Sequence, residues 1–411
     1  MSEIWLRDYI FLAFRLHKAT TTAYGSPFVE EYWGPPAWRI QVEAEPATAG
    51  ADLVRQAMVL ADALPIQGFA PNRATYLGKQ LRAMETLARK LCGETFRLAE
   101  EATYCLDIHP MWTPETQFEQ AYALYESVLP GMGSLAERLR TYQASVAYPP
   151  EQAALLPAFV DLAFAEARKR TSSLVELPLE ETIEIEYLPE WEHEGAAYYR
   201  GNYRTHIVIN TKATAISLSR LFDHKVCHEG YPGHHTDYVL KEKHLARHGY
   251  LEQTLYLTLV PQCVISEGMA QVAHELIFSQ GEAEHWIAFQ MDRLLHREVD
   301  AHALLCLRQA SDLLQGVWEN AAILLDEGHE EKEVVQYFVK YQLLPEDRAT
   351  SYVAFLKHPL YGLHVALTYG NGQKLVRRWL QGPDREAVFR RFLTEQWTPS
   401  QLAADALPDL I

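Results

Sequence analysis

Along most of the chain, apolar side chains recur every three or four residues with polar ones between them, the spacing of helices that bury one face. Prolines punctuate this pattern at Pro65, Pro71, Pro110, Pro114, Pro130, Pro149 and Pro150. Between the breaks, the periodicity predicts helices over 51–64, 73–92, 117–128, 135–143 and 153–170. The opening residues, MSEIWLRDYIFLAFRLHKA, read as a further amphipathic helix. Asp8, Arg15 and His17 interrupt the apolar run that a secretory leader would need. The segment 25–38 (GSPFVEEYWGPPAW) reads as a loop.

One stretch changes period. Thr182-Ile-Glu-Ile-Glu-Tyr187 alternates apolar and polar residues, as a half-buried strand does. Residues 198–210 (YYRGNYRTHIVIN) are rich in β-branched and aromatic types around Gly201, and predict one or two more strands. Helical spacing resumes near 213 and continues to about 393, with a helix expected over roughly 214–230. The expected fold class is therefore mainly α, with a small β-sheet just before a histidine-bearing helix. No linker is evident. The chain reads as an N-terminal helical region, 1–174, closely packed on a catalytic region, 175–411.

Composition narrows the partners. Hydrophobic residues make up 48% and charged residues 22%, the balance of a globular protein. Acidic residues outnumber basic ones by 54 to 37, giving a formal net charge of −17 that repels nucleic acid. No apolar run reaches the ~18 residues of a membrane span. The five cysteines show no paired spacing, which predicts a reducing, cytoplasmic setting.

The candidate chemistry sits in Asp223-His-Lys-Val-Cys-His-Glu-Gly-Tyr-Pro-Gly-His-His-Thr-Asp237. Two histidines one helical turn apart can bind zinc, and a glutamate beside the first can act as base toward a zinc-activated water. Here His228-Glu229 is followed by His234-His235 only after Pro232-Gly233, so the spacing is stretched. Two ring nitrogens on one zinc lie about 3–3.5 Å apart. A regular helix would separate His228 from His234 by roughly 9 Å and from His235 by roughly 10.5 Å. The helix must therefore break between Glu229 and His234, and Pro232 supplies the break because it lacks an N–H and clashes four residues back. If two residues bulge out, His234 becomes the second ligand; if three do, His235 does. The smaller bulge sacrifices fewer hydrogen bonds, so His234 is expected. Glu267, in Ile265-Ser-Glu-Gly-Met-Ala-Gln271, is the candidate third ligand, with Gly268 beside it permitting close helix packing. A bland reading exists for each residue: lone histidines on helices are commonly structural, and five histidines between 224 and 244 could form a solvated face.

The segment HEGYPGHH resembles the His-Glu-x-x-Pro-Gly-His-His signature of a bacterial family known as domain of unknown function 885, grouped with the gluzincin-like metallopeptidases. Glu267-Gly268-Met269-Ala270 is similar to that family's Glu-Gly-Trp-Ala, and Arg297-Glu-Val-Asp300 to its Arg-x-x-Asp. Leu129-Pro-Gly131 and the pair Tyr369 and Gly372 also match, so the likeness runs from about 120 to 380. The chain departs from the family where His274 replaces a glutamate and where Leu304, near His302, replaces a histidine. The resemblance implies a multi-helix metallopeptidase-like fold.

The expected function is a zinc-dependent hydrolase, a peptidase, with one zinc per chain and a peptide or small amide as substrate. His228, His234 (or His235) and Glu267 would bind the metal, and Glu229 would be the general base. Asp237 or Glu275 would orient a ligand. Tyr369, Arg297 and His302 are candidate donors to a developing oxyanion, although Arg297 with Asp300 could be a simple i, i+3 ion pair. The strand ending at 206–210 could pair with an extended substrate or be an ordinary core strand. Two other functional classes compete. One is a non-catalytic metal- or ligand-binding descendant of the fold. The other is a helical-bundle di-metal carboxylate protein using Glu190–His193 and Glu282–His285.

Overall fold

Helices start where the sequence supplies a start signal. Pro36, Pro71, Pro261 and Pro399 each occupy the first turn of a helix, where a missing N–H costs nothing. Ser134 accepts from the Glu137 N–H and closes a capping box on the helix Leu135–Val146. The structure is a computed structural model, and it describes residues 2–147, 154–188, 195–210 and 218–404.

The fold is mainly α with a small sheet. Helices Ser2–Tyr24, Gly50–Ala63, Pro71–Leu91, Glu115–Val128, Leu135–Val146 and Leu156–Leu174 lie within a few residues of the periodic segments. The loop expected over 25–38 instead holds a strand, β1 (Val29–Tyr32), and the start of the helix Pro36–Ala44. The three strands around residue 200 are β2 (Thr182–Leu188), β3 (Gly195–Tyr199) and β4 (Arg204–Asn210). Their order is β2-β4-β3, with β2 parallel and β3 antiparallel to β4. Gly201 turns the chain between β3 and β4 at φ +71°, a conformation that costs glycine little. A short strand, β5 (Leu255–Leu257), pairs antiparallel with β1.

β4 is the central strand, and its neighbours take both of its edges. That removes it as a template for an extended substrate. Ile207, Val208 and Ile209 are buried, the pattern of an ordinary core strand.

Three apolar clusters hold the molecule, and each draws on both sides of residue 175. Leu12 and Leu81 pack with Tyr256 and Leu367 in the first. Phe159 joins Phe222, Met269 and Phe392 in the second, and Phe118 joins Val317 and Phe338 in the third. The region 1–174 therefore shares its cores with the rest of the chain. Among the described residues no helix is long and apolar enough to cross a membrane.

Candidate metal centre

The histidine segment follows an unusual backbone path. The helix Leu218–Leu221 widens into a π-helical stretch, Phe222–His228, and a new helix, His234–His244, starts after a turn that contains a cis Tyr231–Pro232 bond. Across the turn, the Gly233 N–H donates to the Cys227 carbonyl and the His235 N–H to the Glu229 carbonyl. Both bonds span six residues where a regular helix spans four, so two residues have been inserted. His234 consequently takes the position one turn after His228. Gly233 is required by proximity: a Cβ there would stand 1.9 Å from the His228 carbonyl oxygen and 2.4 Å from that of Cys227.

His228, His234 and Glu267 converge. The His228 Nε2 lies 3.3 Å from Glu267 Oε2, and the His234 Nε2 lies 3.5 Å from Glu267 Oε1. The imidazole rings are 4.7 Å apart at their centroids and nearly perpendicular. All three side chains are buried, and their ligand atoms lie within 4.8 Å of one another. Atoms sharing a tetrahedral zinc at about 2.1 Å are separated by roughly 3.4 Å, so the group fits such an ion with little movement. Glu267 Oε2 supplies a further sign. It is buried and has no aligned hydrogen-bond donor, although an imidazole nitrogen lies 3.3 Å away. Two such atoms facing each other can share a cation.

The electrostatics agree. Burial raises the Glu267 carboxyl pKa, yet His234 and His228 more than offset it and hold the group well below the usual range. Burial also opposes charge on His234, but Glu267, with Glu229 and Asp237 adding, pushes its pKa up to about 9. Positive charge between these groups is therefore favoured.

Neighbouring groups fix these three side chains. The Tyr256 hydroxyl donates to Glu267 Oε1 at 3.1 Å. On the far side of His234, Nδ1 lies 3.2 Å from Ser266 Oγ, which donates to Asp237 Oδ2 at 3.4 Å. With the proton assigned to Nδ1, the lone pair falls on Nε2, toward the cage. Asp237 is held in turn by Lys241 at 2.8 Å. Glu229 is partly buried, with Lys225 Nζ 3.5 Å from its Oε1.

Tyr369 arrives from the helix Tyr361–Trp379, which crosses the helix Pro261–Gln271 at Gly268 and Gly372. A Cβ on Gly268 would stand 2.4 Å from the Gly372 carbonyl, so the two backbones touch. Tyr369 lies one turn before Gly372 and so faces the same helix. The charge of Glu267 first, then burial and Glu229, hold its hydroxyl pKa well above the ordinary value. The group stays protonated and can donate. Buried His364 lies beside it, with ring centroids 5.7 Å apart.

Other expected residues stand elsewhere. His235 turns away from the cage: its Nδ1 meets Thr205 Oγ1 at 2.7 Å and its Nε2 meets Glu181 Oε2 at 2.9 Å. It is a structural pin between β4 and the second histidine helix, not a ligand, because two residues bulge and not three. Arg297 donates to the carbonyls of Ser145 and Ala147, while Asp300 caps the helix Ala301–Leu314, so they form no ion pair. His302 lies by Cys306, and Glu275 pairs with Arg377. Glu190–His193 lies outside the described residues, and Glu282 is engaged by Arg170 and Ser279. Among the described residues a single group of three or more potential ligands gathers. Tyr256, Ser266 and His364 carried no sequence signal beyond the closeness of Ser266 to Glu267.

No family model matches the chain, and no curated protein matches it. Among solved structures it is similar to a "putative lipoprotein from Colwellia psychrerythraea", at 15% identity and a TM-score of 0.52. That match covers 89% of this chain and 68% of the other, and shows a shared fold. A "putative lipoprotein of unknown function from Shewanella oneidensis" aligns at 11% identity and a TM-score of 0.48, over 89% of this chain and 75% of the other.

Proposed function

We propose that this protein is a zinc-dependent hydrolase that cleaves amide bonds in peptides or small amides, with one zinc per chain. The observation that carries the reading is the pairing of His228 and His234 across a two-residue bulge, facing a buried Glu267 oxygen without a donor. His228, His234 and Glu267 would hold the ion, and two imidazoles with one carboxylate are a donor set that suits catalytic zinc. Zinc held there would supply Lewis acidity and make an attacking water more acidic.

Glu229, next to the first ligand, accepts a proton from the attacking water and passes it to the leaving amine. Lys225 steadies the Glu229 carboxylate from 3.5 Å. Tyr369, kept protonated by the charge of Glu267, donates to the oxygen on which charge develops. Burial of the three ligands keeps bulk water from competing. The resemblance of HEGYPGHH and Glu267-Gly268-Met269-Ala270 to domain of unknown function 885 supports the peptidase class. The five unpaired cysteines support a cytoplasmic setting.

Protein purified without chelator should carry about one zinc per chain. Glu229→Gln should retain it, while cleavage of a peptide library falls by roughly 100-fold or more. Undiminished turnover in that variant, or wild-type protein that takes up no metal, would overturn the mechanism. A zinc-loaded wild type that cleaves no amide or ester would instead make the chain a binding protein on this fold.

A further inference from the structure

The short ladder of β1 and β5 is irregular beside the metal residues. Val29 pairs with Leu257 and Glu31 with Tyr256, so Glu30 is an extra residue and two glutamates of β1 oppose the single Tyr256. Residues directly opposite each other in a ladder share one face of it. Tyr256 uses that face to reach the cage: its hydroxyl meets Glu267, and its ring centroid stands 6.3 Å from that of His234. The register therefore sends the Glu31 side chain out on the same side as the metal residues.

Glu31 is 8% exposed, and a carboxylate so buried needs a partner for its charge. Among the described residues no side chain forms an ion pair or hydrogen bond with it. Tyr199 offers a backbone N–H, and Arg200 acts only at a distance, its guanidinium exposed and 5.3 Å above the Tyr198 ring. Burial pushes the Glu31 pKa up to about 8; Arg200 and Tyr199 do not offset it, and Glu30 adds to it. Glu30 also lacks a cation, since its Oε1 accepts from two neutral hydroxyls, Thr258 at 2.5 Å and Tyr361 at 2.9 Å. The fields of this pair and of the cage overlap. The hydroxyls of Tyr198 and Tyr238 feel both Glu31 and Glu229, and that of Tyr369 feels Glu267, Glu229 and Glu30.

We infer that Glu31, with Glu30 beside it, selects substrates that carry a primary ammonium group next to the scissile amide. The inference rests on the amide-hydrolase reading and adds the substrate class. In an amide held at the cage, the acyl α-nitrogen lies only two bonds from the carbonyl carbon, and the first side chain starts from the same carbon as that nitrogen. Positive charge at either place meets a buried carboxylate that has none, whereas negative charge there is repelled by both glutamates. The free N-terminus of a peptide and the side chain of a lysine share this chemistry.

Calorimetric titration of the full chain, dialysed against chelator so that the ligands are not turned over, separates the sources. The ligands are L-leucinamide, N-acetyl-L-lysinamide and N-acetyl-L-leucinamide. At least one of the two charged ligands should bind at a single site per chain, about tenfold or more tighter than uncharged N-acetyl-L-leucinamide. Tighter binding of L-leucinamide would assign the site to the N-terminus; tighter binding of N-acetyl-L-lysinamide would assign it to the side chain. Glu31→Gln, which keeps the shape of a neutral carboxyl, should weaken the preferred charged ligand about tenfold and leave the uncharged one unchanged. Unchanged affinity in that variant would overturn the inference. Absence of saturable binding by both charged ligands, or equal affinity for all three, would overturn it in the wild type alone, whether or not the variant folds. The hydrolase reading fails separately. Ammonium-selective binding by a protein that cleaves no amide would keep the site and remove the hydrolase; equal cleavage of free and N-acetylated peptides would do the reverse.

Discussion

His234 and His235 are consecutive in the chain, yet they address different carboxylates: His234 Nε2 faces Glu267 at 3.5 Å, and His235 Nε2 faces Glu181 at 2.9 Å. The two substitutions should therefore fail differently. His234→Ala should lose most bound metal, read by elemental analysis, and lower the urea midpoint in metal-free buffer too, since buried Glu267 loses the imidazole that holds its charge. His235→Ala should retain metal but lose roughly 2–3 kcal/mol of stability, since it strips a buried carboxylate of a partner. Equal metal loss in both variants would sink the division of labour.

Tyr369→Phe removes one hydroxyl and little volume. Metal content and thermal midpoint should stay at wild-type values, while kcat for amide cleavage falls by about 10- to 100-fold with KM nearly unchanged. A rise in KM alone would make Tyr369 a substrate-binding group.

Gly372→Ala tests the helix crossing. The new Cβ would stand 2.2 Å from the Val264 carbonyl, and backbone on both sides must move. A loss of at least about 2 kcal/mol is expected from such overpacking, together with weaker metal retention because Glu267 rides on the displaced helix. A stable variant with full zinc occupancy would show that the crossing has slack.

Glu181 sets a pH window. Burial opposes its charge, but His235, Tyr231 and Arg168 more than compensate and hold its pKa down to about 2, against 4.5 for an unperturbed carboxyl. A lowered folded-state pKa contributes stability that is complete above the unfolded value and lost as pH falls through the folded one. The stability gap between wild type and Glu181→Gln should be constant above about pH 5 and shrink steadily toward pH 2. A gap independent of pH across that range would refute the charged network.

Much of this was legible beforehand because local chemistry decided it. Pro232 and Gly233 announced the broken helix, and side-chain reach limited the bulge to two or three residues. Alternation exposed β2, and prolines marked breaks between helices. Other parts had no local signal. β1 and β5 are too short to show a period, and each is a strand only because the other pairs with it across more than 200 residues. His235 looked like a ligand because its carboxylate, Glu181, lies 54 residues away. β4 looked available until the strands on both sides were in place.

The Gly268–Gly372 contact also sets an order of events during synthesis. Glu267 leaves the ribosome roughly 100 residues ahead of Gly372, a delay of about 5–20 s at ordinary elongation rates. Through that interval the helix bearing Glu267 lacks the backbone that it meets at Gly268, and Tyr369 does not yet exist. The nascent chain thus carries both histidines and the glutamate before the helix that packs on Gly268 and brings Tyr369 has been made.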